Sequence, residues 1–330
     1  MQISDTPGTP GRPGTPGTPG RPRVIVLTGA TGFIGAAALN ALVRRPGVRV
    51  RALARTPGAV RDGVEWVRAD LGDPGSLHGV CEGAAALVNL ASYIGPDEER
   101  CRAINVEGGA ALLAEAARAG VRRLVHLSTA AVYGNRPHRG IEVDEVAPDP
   151  VSAASRTRLE AEAPVLAAGG TVLRPGLVLG AGDRWVVPAL AELVSRVPAR
   201  WDGGNALLSV VDVTELARLI DALATTPHAL PAGIHHASHP TPVTTGELLS
   251  ALAAEGILPA VEEDWPWDRC LKELRARPGR VTERQFSLLA RDYHQLSAPL
   301  WHLTTLTPTP TPLSLLPQAT PWYRTHLTHP

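Results

Sequence analysis

The stretch VIVLTGATGFIGAAALNALVRR, residues 24–45, decides the fold. Its opening VIVLTG (24–29) is the apolar, β-branched run of a strand buried on both faces. FIGAAALNALVRR (33–45) reads as a helix with small residues on the side that meets the strand. Between them Gly29, Gly32 and Gly35 recur at every third position. A tight turn, a close backbone approach to a diphosphate, and packing of helix onto strand each need a residue without Cβ there. The helix N-terminus then offers N–H donors to the anion. The expectation is a dinucleotide cradle built by Gly29, Thr31, Gly32, Phe33, Ile34 and Gly35.

The run from 24 to 43 carries no charge and is flanked by Arg23 and Arg44, so its length alone would suit a membrane helix. Thr28, Gly29, Thr31, Gly32, Gly35 and Asn40 interrupt it. A Pro/Gly-rich leader also stands where a signal peptide would carry its basic end, so no span is expected.

Outward from the turn, strand and helix patterns alternate. VRVRALAR (48–55), VEWVRADL (64–71), AALVNLAS (85–92), RLVHLST (123–129) and TVLRPGLVLG (171–180) read as strands, and INVEGGAALLAEAARAG (104–120) as a long helix. This order predicts an α/β fold, a Rossmann-type doubly wound parallel sheet, over residues 23–180. Helices follow at 188–197, 214–224 and 244–254, the last two with Thr214 and Thr244 as N-caps. They form a smaller C-terminal substrate lobe, 181–330, interleaved with the first domain over the sheet's carboxyl edge. Residues 1–22 keep Gly at every third position from 8 to 20, too few triplets for a collagen helix, and predict a disordered Pro/Gly-rich tail. TPTPTP (307–312) is a second low-complexity insert.

Composition bounds the partners. Of 330 residues 44% are hydrophobic, enough for a large core, and 32 basic residues balance 32 acidic ones, so no field favours nucleic acid or an anionic membrane. Cys81, Cys101 and Cys270 are odd in number and lack metal-ligand spacing, which points to a reducing cytoplasm with neither disulfide nor metal site.

The second strand ends Leu53-Ala54-Arg55. No carboxylate stands there for a ribose 2′-hydroxyl, and the Arg55 fork suits a 2′-phosphate, so NADP(H) is favoured over NAD(H). Asp70 either accepts from the adenine amino group or caps a helix.

TGATGFIG, VRALAR, ADL, VNLAS, INVEGG, HLSTAAVYG, LRPGLVLG and VVDVTELA occur in this order. Over about residues 23–255 the chain therefore resembles the extended short-chain dehydrogenase/reductase superfamily, NAD-dependent epimerase/dehydratase type. PWYRTHL is similar to that family's last helix, and 256–320 matches poorly. The resemblance implies Leu71, Leu90 and Ala91 along the cofactor, a homodimer through two helices of the sheet lobe, and a small-molecule substrate. It also implies a Tyr as proton donor, a Lys four residues later and a Ser or Thr that orients the substrate. Thr129 matches that last position, or is a core threonine at a strand end.

Ala154 and Arg158 stand at the Tyr and Lys positions. Alanine has no exchangeable proton; Arg158 can still bond the ribose or a phosphate. Elsewhere the only lysine is Lys272, and none of Tyr93, Tyr133, Tyr293 and Tyr323 has Lys or Arg four residues on. Tyr93, after the fourth strand, is either a replacement acid/base or a loop anchor. Tyr133 reads as structural, His126 as a satisfied core histidine, and Ser155 as too weak an acid to substitute. Trp185, Val186, Val187 and Trp201 form either an apolar substrate wall or core. Two functions remain: an NADP(H)-linked oxidoreductase or epimerase-like enzyme with a nonstandard proton donor, or a catalytically silent NADP(H)-binding regulator or scaffold.

Overall fold

The computed structural model describes residues 22–228 and 232–327, so the predicted tail up to residue 21 lies outside the described residues. Seven strands make the central sheet: β1 (Arg23–Thr28), β2 (Val48–Ala54), β3 (Val64–Arg68), β4 (Ala84–Asn89), β5 (Arg123–Leu127), β6 (Thr171–Arg174) and β7 (Gly233–His236). Their order is β3-β2-β1-β4-β5-β6-β7, and every pairing is parallel. The doubly wound Rossmann-type sheet is therefore present. Successive residues of a strand point to opposite faces, so Ile25 and Leu27 join one core with Val50, Val88 and Val125 while Val26 joins Leu87 and Leu124 in the other.

Helix α1 (Phe33–Leu42) packs against the Val213–Thr225 helix, and their Leu39, Leu42, Leu216 and Ile220 share one buried cluster. Both that helix and β7 come from the later half of the chain. The uncharged run at 24–43 is thus divided between β1 and α1, and no helix among the described residues is long and apolar enough to cross a membrane. A separate core holds Leu179, Val187, Leu190, Trp201, Phe286 and Tyr323; in it Trp201 meets Phe286 edge-on at 4.9 Å.

Besides shifts of a few residues at element ends, three differences from expectation matter. The single strand read at 171–180 is two: Pro175 has no N–H for a ladder, so β6 ends at Arg174 and Leu177–Leu179 pairs instead with Val210–Asp212. The helix read from residue 104 begins at Glu98, because Asp97 accepts from Arg100 N at 3.0 Å and Glu98 and Glu99 suit the positive end of the helix dipole. It runs as Glu98–Cys101, a π-helical Arg102–Gly108 and Gly109–Arg118. Thr214 is not an N-cap: Asp212 holds that place and accepts from Thr214 N at 2.7 Å. Thr244 does cap its helix, in a box with Glu247.

The TPTPTP insert has no helix or strand, yet it is tied down. Thr309 N donates to Glu215 Oε1 at 2.7 Å, His239 Nε2 donates to Thr309 O at 2.9 Å, and Arg218 Nη2 donates to Thr307 O at 3.1 Å. All three cysteines are free and buried.

Candidate active site

A cavity of about 720 Å³ opens along the carboxyl ends of the strands, where β1 is flanked by β2 on one side and β4 on the other. That reversal of strand order is where open α/β sheets bind ligands. The cavity brings together the residues expected along the cofactor and the candidate catalytic residues Tyr93, Thr129 and Arg158. Gly29, Thr31, Gly32, Phe33, Ile34 and Gly35 line it at the β1–α1 turn, and Arg55 after β2. Asp70 and Leu71 follow β3, Leu90, Ala91 and Tyr93 follow β4, and Thr129 and Arg158 complete the set.

The turn is as tight as backbone permits. Gly29 has φ +71°, and a Cβ on it would lie 2.9 Å from Ala91 N; one on Gly35 would lie 1.9 Å from Gly29 O. Thr28 fixes the turn's base, donating to Asn89 Oδ1 at 2.6 Å and accepting from Leu90 N and Ala91 N, each at 3.1 Å. No side chain caps α1 and no acidic residue stands in its first turn, so the N–H groups there suit an anion, and the cradle fits a dinucleotide diphosphate.

Arg55 is exposed at the end of β2 and forms no ion pair among the described residues. Asp70 accepts from Gly72 N at 2.9 Å in a local turn; the short helix that follows, Pro74–Leu77, is headed by Asp73, so Asp70 caps no helix.

Tyr93 sits in the loop after β4, clamped by Asn105. The Asn105 Oδ1 accepts from Tyr93 N at 2.8 Å, and its Nδ2 donates to Tyr93 O and to Thr157 Oγ1, each at 2.9 Å. Asn105 is itself buried, so the loop and the helix carrying Arg158 are joined through a single amide. The Arg100 guanidinium lies over the Tyr93 ring, 4.7 Å from its centroid. Thr129 heads a one-turn helix, Ala130–Tyr133, and its Oγ1 accepts from Ala131 N at 3.1 Å, which leaves the hydroxyl proton to the cavity.

The helix Ala153–Ala167 starts from a capping box in which Ser152 and Ser155 bond each other, so the Ser155 hydroxyl is engaged there. One turn on, Arg158 donates from Nη2 to the main-chain oxygens of Leu127 and Ser128. Its Nε is buried without a partner, and burial pulls the guanidinium down to about 10. Ala154 does not line the cavity.

His126 is buried but only half satisfied, contrary to expectation. Its Nδ1 meets Asn89 Nδ2 at 3.3 Å while Nε2 has no partner, and burial lowers the ring to about 4, which keeps it neutral. Tyr133 lies outside the cavity in a buried network: its hydroxyl meets His236 Nε2 at 2.7 Å and accepts from Arg174 Nη1 at 2.9 Å. Arg174 in turn pairs with Glu162 at 2.5 Å, each 3% exposed, and Ser128 Oγ donates to the same carboxylate. Burial pushes the Tyr133 phenol up.

The apolar wall splits. Trp185 and Val186 line the cavity, while Val187 and Trp201 are fully buried core. Asp183, unremarked in the sequence, lies below them: its carboxylate accepts from Trp185 N, Val186 N and Val187 N and from Tyr323 Oη at 3.1 Å. An Asp three residues ahead of the helix Val186–Arg196 was the available signal for it. Arg100 and Asn105 had none, since their neighbours are set by the fold.

A 2-alkyl-3-oxoalkanoate reductase from Stenotrophomonas maltophilia is 31% identical over 282 residues, covering 80% of this chain and 84% of its own. A short-chain dehydrogenase/reductase superfamily protein from Agrobacterium tumefaciens, solved with bound NAD, is 25% identical with a TM-score of 0.72, over 93% of this chain and 98% of that one. UDP-glucose 4-epimerase from Thermotoga maritima shares the fold with a TM-score of 0.71 at 16% identity, over 92% and 99% of the two chains. The family model for NAD dependent epimerase/dehydratases matches residues 25–236. That match runs from within β1 to the end of β7 and includes residues of all seven strands; the chain belongs to the NAD dependent epimerase/dehydratase family.

Proposed function

We propose that this chain is an NADP(H)-linked oxidoreductase that interconverts a carbonyl and a hydroxyl on a small molecule, with a proton donor other than the usual tyrosine. The observation that carries this is the meeting of Tyr93, Thr129 and Arg158 with the glycine turn around one cavity. When bound, the nicotinamide ring supplies or accepts the hydride. The chain's own residues hold the rest. In reduction the carbonyl oxygen needs a proton as the carbon gains hydride; Tyr93 Oη–H donates it and regains one from solvent. The Thr129 hydroxyl donates to the same oxygen and orients it. Arg158, whose Nη2 is fixed on two carbonyls, holds the ribose from its remaining N–H groups. Arg55 takes the 2′-phosphate and Asp70 accepts from the adenine amino group. A homodimer through two helices of the sheet lobe and a cytoplasmic setting go with this reading, and reductases among the relatives support it.

Ala154 favours a second reading, a silent NADP(H)-binding regulator, because the residue at the usual donor position has no proton to give. Fluorescence titration with NADPH and NADH, repeated on Arg55→Ala, tests what both share. NADPH binding at least tenfold tighter than NADH, lost in the variant, is expected for a charge-assisted fork on phosphate. Failure of both nucleotides to bind would remove both readings.

A further inference from the structure

We propose that the substrate end of the cavity takes an amphiphile, a carbonyl compound whose anionic group pairs with Arg100 and whose apolar chain lies against Trp185 and Ile94. The proposal rests on the oxidoreductase reading above and names its substrate class.

The charge argument begins with pairing. Around the loop, Arg102 reaches Glu160 at 3.1 Å and Arg156 reaches Glu98 at 2.9 Å, whereas Arg100 meets no carboxylate among the described residues. Its guanidinium is stacked on Tyr93, which leaves the edge of the fork open for bidentate pairing. Three guanidiniums line the cavity, from Arg55, Arg100 and Arg158, against the carboxylates of Asp70 and Asp183. Asp183 is engaged by three main-chain N–H groups and Tyr323, and Asp70 by Gly72 N. Arg55 lies at the nucleotide end and Arg158 is fixed on the carbonyls of Leu127 and Ser128. Arg100 is then the uncommitted cation beside the proposed proton donor.

The apolar argument comes from exposure. Trp185 is 64% exposed and Ile94 46%, two of the five large apolar side chains exposed among the described residues, and both border this cavity. Exposed apolar side chains on the rim of one cavity offer an apolar ligand surface to cover. From Gly176 onward the lining is Gly176, Val178, Asp183, Trp185 and Val186. Apart from the indole N–H, its one polar side chain is the engaged Asp183, so this wall offers the hydroxyls of a sugar no free partner, and the polar side chains Ser92, Tyr93, Arg100 and Thr129 lie on the other elements of the cavity.

The test is isothermal titration of the full chain, with and without NADPH, by decanoate, decanamide, hexanoate and UDP-glucose. Decanoate is expected to bind at least tenfold tighter than decanamide, for the charge, and than hexanoate, for the chain. Arg100→Gln should erase the first preference and Trp185→Ala the second, with circular dichroism establishing that each variant is folded. The wild-type series stands without either variant. Tight UDP-glucose binding with none by decanoate, or equal loss of decanoate and decanamide affinity in Arg100→Gln, would overturn the proposal. Decanoate binding without nucleotide binding would sink the oxidoreductase reading and leave the ligand class standing; NADPH binding without decanoate binding would do the reverse.

Discussion

Asn105 Nδ2 donates to Thr157 Oγ1 at 2.9 Å and so joins the loop that presents Tyr93 to the helix that presents Arg158. Two side chains that line one cavity are thereby held in one frame, although neither touches the other's element directly through its own polar atoms. Removing the Tyr93 hydroxyl and removing its support should have different signatures. Tyr93→Phe is expected to lower kcat by about 10²–10⁴, the usual worth of a general acid, with nucleotide affinity kept. Asn105→Ala leaves buried partners unmet and should also cost about 1–3 kcal/mol of stability. Urea unfolding beside steady-state kinetics separates them; unchanged turnover in Tyr93→Phe would eliminate it as the acid.

Placing Tyr and Lys at the two positions that the sequence reading assigns to the family's pair tests the silent alternative. Under that alternative Ala154→Tyr with Arg158→Lys should create or raise reductase activity on a substrate that fits. If Tyr93 is the donor, loss of the Arg158 guanidinium from the cavity should instead lower kcat/KM several-fold. The assay is NADPH oxidation by wild type and double variant with one amphiphilic ketone.

The buried Glu162–Arg174 pair should be costly to break from one side. Arg174→Met leaves a carboxylate that is 3% exposed without its cation, and a loss of about 3–5 kcal/mol is expected in denaturant unfolding. Replacing both partners by apolar residues should recover part of it. Equal losses in the single and double variants would show that the pair's charges are not what holds this region.

Stability should fall in acid through two histidines. Burial lowers both His126 and His236 to about 4 in the folded chain, against about 6.5 when unfolded. Between those values the unfolded chain binds more protons, so stability rises with pH across the window and is lost as pH falls through it. Charging each ring costs the folded chain on the order of 3 kcal/mol once pH is below the window. The melting temperature should therefore be flat above about pH 7 and drop towards pH 4, with a shallower drop in His126→Asn; a pH-independent melting temperature would contradict this assignment.

Tyr323 closes the turn below the apolar rim, accepting from Gly180 N at 2.9 Å and donating to Asp183. Tyr323→Phe leaves both without it in a buried setting and should lower stability by about 1–3 kcal/mol, read by thermal unfolding.

The sheet and its cradle were legible because they rest on local rules. A period of two against a period near 3.6, and glycine at a turn where Cβ would strike Leu90 and Ala91, both leave their mark in the chain. Pro175 is legible too: a strand with a neighbour on each side does not continue through a residue that has no N–H to give. The helix start at Glu98 was hidden by the absence of apolar periodicity there, although Asp97 followed by Glu98 and Glu99 is a start signal. Arg100 and Asn105 could not be read at all. Asn105 acts on Tyr93 across 12 positions and on Thr157 across 52, and neither separation leaves a pattern. His126 failed for a related reason, since whether its second nitrogen finds a partner depends on what packs over β5.

The late arrival of β7 and of the Val213–Thr225 helix bears on how the chain can be made. While a ribosome is still short of residue 213, the nascent cradle displays the apolar stripe of Leu39 and Leu42 and lacks the sheet's last edge strand. A product ending at Gly180 would keep both defects permanently and is expected to precipitate or to occupy chaperones. A nucleotide-binding fragment intended for fusion or screening must therefore extend past His236.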